Sequence, residues 1–545
     1  MLPLPQIESK QKPLLIHIVH EDDEVLLNTP DAEWFRILYY FPWEKHRIFG
    51  AEYYDALYEF NQREEKKRQD RQATNGEVLS ESKEDARQRL LFDRVTMQVD
   101  KEKKSDVLYE VEAESKLQMV SPLGISPGVV PFRLGGKKPK CFFALLKSFL
   151  GTAIMGFPCE PEKVSMLLKS NPSFVRVCGF APKGERDEYC SRHIPSERKL
   201  QQFDQIMSEW GLWDKIKIAL VTENIETGAI KIEKEVVGDT THYYAYSGFE
   251  TVKYKDEDGK EQKKSQSKLT KKCRCQDRDT CEHDWVLADE GAGTIVKSIT
   301  KMYWGHKASI VGFPRQGVPL DARAVLDGST HDGETYFPHV EKVLDTYPVI
   351  KESVKRVLYD SACDSNDLKD KFMDKLGLEL KASLNPRRKK EVTEGLPRGM
   401  EKITPYGDVI CNGGHEMDYK GMRYEKEKFI YHAPTDTDGE PVCSTCWYQV
   451  ECCPNSLTGR MINISFGLLP HIDTEDPPMA KRFKAIMTRR PSVERMIKRL
   501  KCDISDDRLS KRGNLAFQAY PGPAQGCSWA GLDKTMIAFH LLLQN

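Results

Sequence analysis

The 545-residue chain lacks any apolar run long enough to cross a bilayer. Its most apolar stretch, Cys141 to Phe157, is interrupted by Lys147 and falls short of the ~20 residues a spanning helix needs. No secretory leader is recognisable, so a cytoplasmic setting with reduced thiols and no membrane partner is expected. A net charge is also missing: 82 Lys and Arg against 83 Asp and Glu leave −1. A protein that wraps nucleic acid through overall basicity would not have that balance. Apolar material is not scarce, however. Hydrophobic residues make up 39% of the chain, enough for packed cores, and the length suits about three or four domains.

The charge is unevenly distributed. Acids gather at Glu21-Asp22-Asp23-Glu24, and bases at Lys263-Lys264, Lys271-Lys272, Arg387-Arg388-Lys389-Lys390 and, most densely, Lys481 to Lys501. Local patches of this kind, rather than the total, set affinity for phosphates. Lys481 to Lys501 holds nine Lys or Arg and a single acid, Glu494. The spacing of Val493, Met496, Ile497 and Leu500 predicts a helix with one apolar stripe, and Pro491 suits its first position. Glu494 and Lys501 then share a face, with Arg490 pointing much the same way. Such a helix offers phosphates a basic surface, with Arg490, Lys498 and Lys501 as candidate contacts, and keeps one acid for a metal ion.

Two aspartates join it from upstream. The alternating run Ile230 to Val236 predicts a strand carrying Asp239 at or near its end, and Val357-Leu358-Tyr359 predicts a second strand ending at Asp360. Three acids drawn from distant positions need a cation to offset their mutual repulsion. Two Mg²⁺ ions held by Asp239, Asp360 and Glu494 would activate an attacking oxygen and stabilise a leaving one, as phosphodiester chemistry requires.

In this order the acids resemble the DDE triad of insertion-sequence transposases. Around Glu494 the chain is similar to the signature Y-x2-R-x3-E-x6-K of one large bacterial group, with Arg490, Glu494 and Lys501 in place and Met487 where the tyrosine stands. Tyr359-Asp360-Ser361-Ala362-Cys363-Asp364-Ser365 looks like that superfamily's second-aspartate block, with Cys363 replacing an aromatic residue. Asp239-Thr240-Thr241-His242, Gly305-His306-Lys307-Ala308 and His331-Asp332 are further similar pieces, and the likeness covers roughly Lys140 to Asn545. It implies an α/β fold: an RNase H-like mixed sheet flanked by helices, preceded by a helical domain and interrupted by a cysteine-rich insertion. It also implies Mg²⁺-dependent cleavage at an element's ends, strand transfer into target DNA, and a homodimer that pairs two ends. An RNase H-like nuclease without strand transfer, or a zinc-stabilised DNA-binding protein descended from a transposase, are the alternative readings.

The cysteines form two clusters. Cys273-x-Cys275-x5-Cys281-x-His283 supplies three thiolates and an imidazole, a set that tetrahedral Zn²⁺ accepts; an unliganded loop is the alternative, because Cys-x-Cys is tighter than the usual spacing. The second cluster contains Cys411, His415, Cys443, Cys446, Cys452 and Cys453. Cys443-x2-Cys446 is its firmest pair, with Cys411 and either Cys452 or Cys453 completing a structural zinc site, unless more than one ion is held.

The expected organisation follows from these readings. Residues 1–135 have no assigned role, with Glu33 to Phe60 helical, Asn61 to Arg89 heavily charged, and a Pro/Gly-rich linker at Val120 to Lys140. Residues 136–216 form a helical, DNA end-binding domain. The first part of the catalytic core is 217–390, the zinc lobe 391–478, and the final part, with the Glu-bearing helix, 479–545. Core strands are expected at Ile230 to Asp239, Lys297 to Tyr303, His306 to Phe313, Leu320 to Leu326, Val357 to Asp360 and Leu376 to Leu380, with a helix at Glu334 to Leu344.

Overall fold

The computed structural model describes residues 32–74, 140–180, 193–503 apart from short stretches that include 271–285 and 386–389, 519–521 and 527–543, together with Leu26 and Thr29. Cys273, Cys275, Cys281 and His283 lie outside the described residues.

Helices build the first half: α1 (Glu33–Tyr40), α2 (Arg47–Thr74), α3 (Phe142–Ile154), α4 (Pro161–Ser170), α5 (Pro172–Cys178), α6 (Glu197–Glu209) and α7 (Leu212–Glu226). Pro161 and Pro172 open α4 and α5 at positions where a missing N–H costs nothing, and the Asn171 side chain caps α5 by accepting from Phe174 N–H at 2.9 Å. α3 is apolar on every side and buried from Phe142 to Ala153, so it forms the axis of a helical unit. No helix among the described residues is long and apolar enough to cross a membrane. Lys147, the charge within α3, is fully buried, with its ammonium on Val177 O at 3.3 Å and 5.4 Å from the Trp43 ring.

The helical unit takes in more chain than 136–216. Phe35, Leu38, Trp43, Tyr53, Tyr54, Leu57 and Phe60 share its core, and the Tyr54 hydroxyl accepts from Phe142 N–H at 2.9 Å. At the other end, the expected boundary at Lys217 falls in the middle of α7.

A six-stranded sheet follows: β1 (Glu235–Tyr244), β2 (Gly293–Ser298), β3 (Lys301–Phe313), β4 (Val318–Val325), β5 (Arg356–Tyr359) and β6 (Glu379–Ala382). β3 pairs antiparallel with β1 on one edge and with β4 and β2 on the other, while β5 and then β6 run parallel to β1. The fold is therefore mixed α/β. Between strands run α8 (Asp332–Thr346), α9 (Pro348–Ser353) and α10 (Asn366–Leu376).

Several strand positions differ from the sequence reading. Asp239 is the fifth of ten residues in β1, not its end, because Ile230 to Lys234 is held by the turn after β3. There Glu233 accepts from the N–H groups of Arg315 and Gln316 at 3.0 and 2.9 Å, while Thr240 to Tyr244, β-branched and aromatic, carry the strand onward. Lys297 to Tyr303 is the tight connection of β2 to β3 rather than one strand. Leu376 closes α10, Gly377 takes a left-handed φ of +66°, and β6 starts at Glu379.

Residues 391–478 form a lobe with its own core, built on a two-stranded sheet (Met400–Ile403, Val409–Cys411) and a three-stranded one (Asp418–Arg423, Lys428–His432, Met461–Ser465), with the short helix α11 (Gln449–Cys452). The chain then returns through α12 (Lys481–Met487) and α13 (Ser492–Lys498), and α14 (Ala530–Leu542) packs against α3, α7 and β4. A buried ion cluster fastens that seam. The Lys217 ammonium reaches Asp214, Asp321 and Asp533 at 2.7, 2.6 and 2.8 Å, and Arg323 bonds Asp321 and Asp214 at 2.6 and 3.3 Å.

Candidate active site

Sheet register brings the two aspartates together. The last parallel couple between β1 and β5 is Val237 with Leu358, and Asp239 and Asp360 each lie two residues beyond it. They therefore emerge side by side on the same face. Gly238, just before Asp239, faces the other way, where a Cβ would stand 2.0 Å from a ring carbon of Tyr336. Only glycine lets that ring lie against β1, its hydroxyl donating to Leu358 O at 3.1 Å.

α13 covers the aspartate face. Val493 and Met496 pack with Ile486 onto Val237 and Leu358, the apolar stripe the sequence predicted. Pro491 caps the helix rather than entering it. With the stripe buried, Arg490 and Glu494 face the sheet's acids. The Arg490 guanidinium donates to Asp239 Oδ2 at 2.8 Å and Glu494 Oε1 at 2.9 Å, and stands 3.9 Å from Asp360 Oδ2. All three predicted acids thus converge on one side chain. Its Nε is buried with no hydrogen-bond partner.

The acids differ in surroundings. Asp239 is mostly buried, and burial pushes its carboxyl up to about 6, against the opposing pull of Arg490 and of the Thr240 N–H; Asp360 and Asp332 raise it further. Asp360 is half-exposed and caps the 3₁₀ turn Ser361–Cys363, its Oδ1 accepting from Ala362 N–H at 2.9 Å. Glu494 is largely exposed.

The predicted phosphate contacts do not all face this point. Lys498 lies exposed on α13. Beyond it the winding loosens to a π-turn, Arg499–Asp503, which turns Lys501 away from the face of Glu494. The Lys501 ammonium donates to His242 O at 2.7 Å and lies 4.3 Å from the Tyr243 ring centre, three residues or roughly 10 Å along β1 from Asp239.

A neighbouring polar group was missed by the sequence reading as a site feature. On the opposite face of β1, Thr240 donates to Asp332 Oδ2 at 2.9 Å, and Lys307 bonds Asp332 Oδ1 at 3.0 Å and Thr330 O at 2.8 Å. The fragments containing Lys307 and Asp332 stood out in the sequence, but nothing there tied them to each other. Among the described residues, no three His, Cys, Asp or Glu side chains are closed into a metal-ligand arrangement.

No protein-family profile and no curated protein matches the chain. Among solved structures it is similar to a piggyBac transposase synaptic complex with hairpin DNA, at 8% identity and a TM-score of 0.29 over 84% of this chain and 74% of that one. It is also similar to a Mos1 transposase paired-end complex with left transposon end, at 12% identity and a TM-score of 0.15 over 52% and 68% of the two chains. At these TM-scores neither likeness carries weight for fold or function.

Proposed function

We propose that the chain is a DDE-type transposase, acting on the ends of an insertion-sequence-like element and joining them to target DNA. The observation that carries this reading is the contact of one guanidinium with all three predicted acids. Supporting it, the sheet has three antiparallel strands, β4-β3-β1, continued by two parallel ones, β5 and β6, the order expected of an RNase H-like core. Exposed cations on α12, α13 and the turn after it, among them Lys481, Lys484, Arg495, Lys498 and Arg499, suit a phosphodiester backbone.

The three carboxylates are hard oxygen donors of the kind Mg²⁺ takes, and Asp239, Asp360 and Glu494 would hold it. When bound, Mg²⁺ supplies Lewis-acid stabilisation of the attacking and leaving oxygens. The protein's own part is to hold Asp239 and Asp360 in register from the sheet and to bring Arg490, just before α13, and Glu494, on it, to their side. Arg490, released from the acids, is placed to meet the charge that grows on phosphate. The helical unit is the candidate end-binding region, and pairing of two ends calls for a homodimer.

The test is a labelled element-end duplex incubated with Mg²⁺ and target plasmid. E494Q should lose joined products by about a hundredfold or more while still binding DNA; undiminished joining would refute the assignment, and cleavage without joining in the unaltered protein would favour a nuclease.

A further inference from the structure

Three separate pieces of chain bring the lobe's cysteines to one cavity, which is lined by Cys411, His415, Cys443, Cys446, Cys452 and Cys453. Cys411 ends a strand, and the turn through Gly414, at φ +77°, folds back so that its N–H meets His415 O at 3.0 Å. Cys443 and Cys446 bracket a 3₁₀ turn closed by Cys446 N–H on Cys443 O at 3.2 Å. Cys452 ends α11. A Cβ on Gly413 would stand 2.8 Å from Cys446 Sγ, 3.3 Å from the His415 ring and 3.7 Å from Cys411 Sγ, so these three side chains face one point.

Burial separates the candidates: Cys453 is buried, whereas Cys411, Cys443, Cys446 and Cys452 are all half-buried along the same cavity. All five are free thiols. We propose that the lobe holds one structural zinc ion through the thiolates of Cys411, Cys443, Cys446 and Cys452, with the buried Cys453 packed beside it and outside the ligand set.

On binding, four S–H groups release four protons to solvent and four Zn–S bonds form, with no change of oxidation state. The resulting centre carries two negative charges, and Arg460 lines the same cavity to offset them. The lobe has reason to need such a crosslink: its own core is a cluster of twelve buried side chains, seven of them on its five short strands. This inference does not depend on the DNA chemistry.

The experiment uses the full chain, reduced, in a C273S/C275S background so that the first cysteine cluster cannot contribute. Titration with Co²⁺ should give sulfur-to-cobalt charge-transfer bands and tetrahedral ligand-field bands at one equivalent, both abolished by Zn²⁺. C452S should weaken binding by about a hundredfold, and C453S should leave one tight equivalent. Absence of the bands, equal uptake by a C443S/C446S variant, or dependence on Cys453 in place of Cys452 would overturn the proposal.

Discussion

Removing Arg490 should make the acid site a better metal site. In the structure its guanidinium is the cation that offsets Asp239, Asp360 and Glu494, so a divalent ion must displace it before binding the same oxygens. A guanidinium withdrawn to about 8 Å from a divalent ion, at an effective dielectric of roughly 40, still opposes it by about 2 kcal/mol, roughly a thirtyfold loss of affinity. R490Q removes that opposition and keeps a hydrogen-bonding side chain of similar reach. Mn²⁺ affinity read from the paramagnetic resonance of the free ion, at pH 8 where Asp239 is ionised, should rise by about ten- to a hundredfold. R490K should stay near the parent value. In the parent protein affinity should fall as pH drops through about 6, where Asp239 takes up its proton, and in R490Q the fall should begin at higher pH because the lowering pull of Arg490 is gone. Equal or weaker Mn²⁺ binding by a folded R490Q would refute the idea that guanidinium and metal compete, without touching the assignment of the acids, which E494Q tests separately.

Other substitutions probe the frame that holds the site. K217M leaves three buried carboxylates with Arg323 as their remaining strong counter-ion, and should cost about 3–5 kcal/mol in urea unfolding; a cost below about 1 kcal/mol would show the cluster to be slack. His540 is buried and neutral, its Nε2 on Pro319 O at 2.9 Å, and burial holds its ring down to about 3. Since the unfolded ring protonates near 6.5, this stabilisation is whole above that pH and drains away by about 1.4 kcal/mol per unit as pH falls toward 3. H540Q should flatten that part of the stability profile, and an unchanged slope would count against it. G238A should force Tyr336 off β1 and destabilise by about 1–3 kcal/mol, which thermal melting can check, with loss of metal binding if the aspartate register shifts.

The parts of the site that were legible in the sequence are those fixed by local rules. The stripe Val493-Met496 announces which face of α13 is buried, and that leaves Glu494 exposed beside Arg490. Val357-Leu358-Tyr359 is a buried run that ends where an acid emerges. What local rules do not fix is where a strand ends. Ile230 to Lys234 alternates like a strand, yet Glu233 is captured by two backbone N–H groups from a turn some eighty residues later. Arg490 was legible as a cation beside Glu494, but its bond to Asp239 crosses 251 positions and depends on the parallel register of β1 and β5. The π-turn after Lys498 likewise breaks the periodicity from which Lys501 was placed.

α14 has a consequence for how the protein comes into being. It sits late in the chain, yet Met536, Ile537, Phe539 and Leu541 fill the seam between helical unit and sheet, and Lys534 reaches back to Asp204 and to Cys159 O. Emerging from the ribosome, the two halves meet without their wedge until that helix arrives. A chain that already contains Asp239, Asp360 and Glu494 therefore still lacks a finished scaffold until α14 has docked.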